Sequence, residues 1–211
     1  VPVSRCSMNY LQESREVGFE PDAAWLGGRP FTTAFHFVVP VGCNKVLATV
    51  PLPSQSVVVN AAKITFLGKL EYLPAGGRGV VLNAAGDLIV GDGTNPALIR
   101  AGGVNTLPAT TIAVAQKSVA LIGGGNCTFK LATIEGTAPI QNTKVGILCA
   151  NDLTFVGSTV IGSKVNIQSL TGSILASGSS APGGFSLADL CDDPATNLTG
   201  KSFELDPGAR N

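Results

Sequence analysis

Charge is what this sequence has least of. Only 13% of its 211 residues are charged, against 45% hydrophobic, and the mean hydropathy is +0.33. The 14 Lys and Arg balance the 14 Asp and Glu. A chain with no net charge and no basic cluster offers no field for nucleic acid or an anionic bilayer to follow, so neither is expected as a partner. Histidine, tryptophan and methionine occur once each. There is no HExxH, no paired His, no EF-hand loop and no CxxC, so neither a metal nor a cofactor is expected. No apolar run reaches eighteen residues, so no membrane-spanning helix is expected either.

Glycine is abundant instead, with 26 residues, and the aromatics crowd toward the N-terminal third. Between residues 80 and 185 the charged side chains are Asp87, Asp92, Arg100, Lys117, Lys130, Glu135, Lys144, Asp152 and Lys164. A stretch so poor in charge and rich in Gly and Asn reads as short apolar strands joined by turns. "KVNIQS" at Lys164 to Ser169 alternates as a half-buried strand should, with Val165 and Ile167 on one face and Asn166 and Gln168 on the other.

The chain also repeats itself. "VVLNAAGDLIVGDG" at Val80 echoes "GILCANDLTFVGST" at Gly146, 66 residues on, and 66 divides into three steps of 22. Such steps align Val90, Ile112, Ile134 and Val156 in one β-branched column, and place Asn83, Asn105, Cys127 and Cys149 in another. "VVVNAA" at Val57 precedes "VVLNAA" by 23. A period of this size is the signature of a solenoid, whose units bury their apolar faces by stacking. The expected fold is all-β: a right-handed parallel β-solenoid with rungs of about 22 residues. An antiparallel β-sandwich is the alternative, since it also has many short strands.

Three segments follow: an N-terminal cap and edge segment over 1–56, solenoid repeats over 57–185, and a C-terminal cap or tail over 186–211. Ser7 to Val17 and the segment from Ser186 have the spacing of short capping helices. "TTAFHFVVPV" reads as an edge strand interrupted by Pro40. The rungs "AAGDLIVGDG" and "CANDLTFVGSTVIGSKVNIQSLTGSILASG" resemble those of right-handed parallel β-helices, particularly filamentous-haemagglutinin-like secreted proteins, over roughly residues 57–180. That architecture hosts adhesins, secreted scaffolds, phage spikes and polysaccharide lyases or hydrolases, so the resemblance implies a fold and leaves function open.

Candidate chemistry is sparse. His36, between Phe35 and Phe37, has no nucleophile motif to serve and reads as a strand histidine. Glu135 and Asp152, with Lys130 and Lys144 nearby, form the one carboxylate pair worth testing for sugar chemistry, which needs two carboxyls within about 5 to 10 Å. Asp87 and Asp152 should lie three rungs apart. Asn60, Asn83 and Asn105 suit a stacked corner ladder. Thr residues near Ala109, Leu131 and Ser158 do not share a column, which argues against an ice-binding array.

No catalytic residue is therefore assigned. The expected function is a non-enzymatic structural or adhesive protein that associates with itself as an oligomer or filament, with surface glycans as a further partner. A polysaccharide-active lyase or hydrolase on the same scaffold is the alternative. Contacts are expected from the aromatic segment Trp25, Phe31, Phe35 and Phe37, and from Arg78 and Asp92 on protruding loops. The start at Val1 and the five cysteines suggest a mature, secreted or cell-surface chain. Equivalent rung positions predict a Cys127–Cys149 disulfide, with Cys6–Cys43 as a second and Cys191 left over.

Overall fold

A computed structural model of the protein describes residues 2–4, 19–20, 36–47, 57–73, 79–103, 117–137, 144–162, 164–177 and 202–205, and every secondary-structure element among them is a β-strand. The chain opens with β1 (Pro2–Ser4), β2 (Phe19–Glu20), β3 (His36–Val39), β4 (Asn44–Leu47) and β5 (Val57–Ala61). It then settles into three strands per turn. The second turn holds β6 (Lys63–Phe66), β7 (Lys69–Tyr72) and β8 (Val80–Ala84), and the third β9 (Leu88–Val90), β10 (Ala97–Ala101) and β11 (Val119–Gly123). The fourth has β12 (Cys127–Lys130), β13 (Ala132–Gly136) and β14 (Lys144–Cys149), and the fifth β15 (Leu153–Val156), β16 (Thr159–Ile161) and β17 (Lys164–Ser169). β18 (Ser173–Ser177) and β19 (Ser202–Leu205) complete the order.

Corresponding strands of successive turns hydrogen-bond to one another, which generates three sheets. The first runs β1-β3-β6-β9-β12-β15-β18-β19, the second β4-β7-β10-β13-β16, and the third β2-β5-β8-β11-β14-β17. Pairing is parallel throughout, except where β2 meets β5 antiparallel. This is the course of a β-solenoid, and the sandwich alternative fails because its neighbours would run antiparallel. The strands β3 and β4 already pair in register with β6 and β7, so the stack takes in residues before 57. β3 lies between β1 and β6, and Pro40 follows its last residue; this is an interior strand, contrary to the expected edge.

The core is built from inward columns. In the first sheet Phe37, Ile64, Leu88, Cys127, Leu153 and Ile174 form one, and Val39, Phe66, Val90, Phe129, Phe155 and Ala176 the next. The rings of Phe129 and Phe155 stack at 4.9 Å between centroids. The third sheet contributes Val57, Val80, Val119, Val145 and Val165. Each fully buried aliphatic side chain stabilises by about 1.5 to 3 kcal/mol relative to exposure. On the other face of this sheet Val81 and Ala120 are also buried, which explains why "VVL" and "VALI" read as continuous apolar runs rather than alternating ones.

Parallel stacking agrees with expectation, but the fixed 22-residue step does not. Cross-turn contacts join residues 23 apart at Asn60 and Asn83, 39 apart at Asp87 and Asn126, 26 apart at Asn126 and Asp152, and 21 apart at Asp152 and Ser173. Strand lengths are nearly constant while corner lengths vary, so a constant step drifts out of register. The predicted column dissolves accordingly. Val90 lies between Phe66 and Phe129 in the first sheet, Ile134 lies between Ile99 and Val160 in the second, and Val156 faces outward. Ile112 is outside the described residues. The 66-residue echo is real but one residue out and two turns deep, since Val80 aligns through Val119 with Val145.

Candidate functional site

Strand alternation on the second sheet points Leu70, Ile99 and Ile134 inward and leaves Glu71, Arg100 and Glu135 outward on three successive turns. Parallel register then places Arg100 directly beside both Glu71 and Glu135. Its guanidinium bridges them. Nε and Nη2 reach Glu135 Oε2 at 2.9 and 2.7 Å, and Nη1 reaches Glu71 Oε2 at 2.8 Å. The side chains are only 17 to 32% exposed, so screening is partial. The hydrogen bond to Glu135, followed by that to Glu71, raises the guanidinium pKa further above its ordinary value. Two carboxylates serving sugar cleavage would flank a substrate. Here both meet on one cation.

Glu135 and Asp152 do not form a pair. Glu135 sits within β13 on the second sheet, whereas Asp152 occupies the corner leading into β15. Lys130 ends β12 on the first sheet and Lys144 begins β14 on the third, so the expected cluster is divided among faces.

The corner holding Asp152 carries a ladder of its own. The Asn126 backbone N–H donates to Asp87 Oδ1 at 3.0 Å, the Asp152 N–H to Asn126 Oδ1 at 3.2 Å, and the Ser173 N–H to Asp152 Oδ1 at 3.0 Å. Each side chain satisfies a backbone donor one turn on, which a corner must do because its amides have left the sheet. Asp87 and Asp152 are therefore two turns apart, not three. The signal lay in "GDL", "GNC" and "NDL", each an Asp or Asn just before an inward residue. Unequal spacing hid it. The expected Asn ladder also exists in its first step, with Asn83 Nδ2 donating to Asn60 Oδ1 at 2.8 Å; Asn105 lies outside the described residues.

His36 rests on the outer face of the first sheet, its Nε2 2.9 Å from Thr65 Oγ1. Partial burial and then the nearby Lys63 ammonium lower its pKa. Asp92 accepts backbone N–H bonds from Thr94 and Asn95, both at 2.7 Å, which lower its pKa and close the exposed turn. Phe37, expected at a contact, is 1% exposed and belongs to the core because its strand turns it inward. Trp25, Phe31, Phe35 and Arg78 lie outside the described residues, as do both candidate capping helices.

The cysteines need correction. Cys127 and Cys149 are free, buried thiols. They are not equivalent positions, since Cys127 pairs with Leu88 and Leu153 in the first sheet while Cys149 pairs with Gly123 and Ser169 in the third. Cys43 is disulfide-bonded; Cys6, its expected partner, and Cys191 lie outside the described residues. No family model, curated protein or solved structure matches this chain.

Proposed function

We propose that this protein is a non-enzymatic extracellular scaffold or adhesin, a right-handed β-solenoid of the filamentous-haemagglutinin-like kind that associates with copies of itself. The observation that carries the reading is where its charged side chains are used. Arg100 ties Glu71 to Glu135 across three turns, and Asp87, Asn126 and Asp152 tie corners together. These groups hold the stack. Right-handed winding is the general preference of parallel crossovers. The Cys43 disulfide fits an oxidising compartment, which supports secretion.

The outer column of the first sheet reads Val38, Thr65, Ile89, Thr128, Thr154 and Leu175, uncharged from β3 to β18 and ending on Glu204 of β19. Such a face suits a second copy, and the loop closed by Asp92 suits a glycan. A glycan array and a reducing-sugar release assay on one preparation, with light scattering over a hundredfold concentration range, test the reading. Concentration-dependent mass with glycan retention and no sugar release is expected. A strict monomer that binds no glycan overturns it.

The alternative, a polysaccharide lyase or hydrolase, draws on the outward Glu71, Arg100 and Glu135. Sugar release that is abolished in Glu135→Gln would establish it instead.

A further inference from the structure

The two free cysteines are neighbours by a route that the repeat did not anticipate. Cys149 lies directly opposite Gly123 in the β11–β14 pairing, one strand spacing away, about 4.8 Å. A Cβ added to Gly123 would run into Cys127 Sγ. The missing side chain of Gly123 thus makes room for the Cys127 sulfur beside Cys149. Both residues are fully buried. The carbonyl oxygens of Gly125 and Asp152 lie 3.1 and 3.3 Å from Cys149 Sγ, and the backbone amides of Asn151 and Cys127 also face that sulfur.

We propose that Cys127 and Cys149 form a redox-active dithiol, held reduced in this structure, that closes to a disulfide joining the first and last strands of one turn when a low-molecular-weight disulfide is the oxidant. The Cys149 thiolate attacks one sulfur of the oxidant and expels one thiolate. Cys127 then loses its proton and its sulfur attacks Cys149 Sγ, releasing the second. Two protein S–H bonds are replaced by one S–S bond, and the oxidant is reduced to two thiols. The neighbouring Cys127 thiol lowers the Cys149 pKa, and the proximity of Cys149 together with burial raises that of Cys127, so the order of attack is set. Closure encloses one complete turn of the stack. Because both sulfurs are buried, reaction waits on local opening of the Gly124–Gly125 corner.

The test uses the intact chain, incubated natively with oxidised glutathione, quenched in acid, alkylated in denaturant and digested without reduction. A Cys127–Cys149 linked peptide should accumulate, with loss of both alkylation sites, and dithiothreitol should restore them. Cys127→Ser should instead retain glutathione on Cys149, because the resolving thiol is gone. If both thiols of the native protein remain alkylatable after prolonged exposure, or each is found only as a glutathione adduct, the proposal fails. That map needs no variant, so a misfolded Cys127→Ser leaves the test intact.

Discussion

His36 carries the clearest pH dependence in a sequence with a single histidine. Its folded pKa lies below the ordinary 6.5 because it is partly buried and faces Lys63. Between the two values the unfolded chain binds more protons, so stability is present in full above about 6.5 and is lost as pH falls through the lowered folded value. Thermal unfolding should therefore show the native protein losing stability relative to His36→Gln as pH falls from 7.5 to 5. A constant difference between them would refute this. The sequence correctly made His36 a strand residue, because its alternation with Phe37 is local. The Thr65 partner could not be read, since it depends on which residue of the next turn arrives alongside.

At the scale of strands and corners, inward columns and outward ladders should differ in what their loss costs. Phe129 stacks on Phe155 with both rings in the core, so Phe129→Ala opens a cavity and should cost about 3 to 5 kcal/mol in denaturant unfolding. Asn126→Ala removes only the acceptor for the Asp152 amide on an exposed corner and should cost about 0.5 to 1.5 kcal/mol. Equal losses would mean that the corners rather than the core hold the turns together. Legibility divides along the same line. The alternation of Val165, Asn166, Ile167 and Gln168 was readable because strand geometry has period two, and the structure buries the first and third in the core. Asn166 is buried too, in the same outward column as the buried Val81 and Ala120. Corners have no such rule. The longest spacing between turns, 39 residues from Asp87 to Asn126, was enough to move Ile134 from the predicted column to another sheet.

For the whole molecule, the balance between stacked turns and exposed faces decides whether one copy suffices. The charges between residues 80 and 185 are few, and several of them are engaged along the stack, so little like-charge repulsion opposes lateral approach. On the outer face of the first sheet Val156 and Leu175 are each 40% exposed. Val156 is paired with Lys130 and Ser177, and Leu175 with Thr154 and Glu204, which makes the two diagonal neighbours on one surface of β15 and β18, flanked by one position of each charge. Burying two such side chains against a second copy is favourable through area removed from water, and unlike an ion pair it does not weaken as salt rises. Val156→Lys with Leu175→Lys puts two like charges on that surface while leaving the inward Phe155 and Ile174 in place. The native chain should gain mass with concentration at both low and high salt. The double variant should remain monomeric across the same range, with a small loss of stability because the lysine introduced at position 156 stands directly opposite Lys130. Continued association of the variant would move the contact to another face, and a native chain that is monomeric throughout would remove self-association from the proposed function.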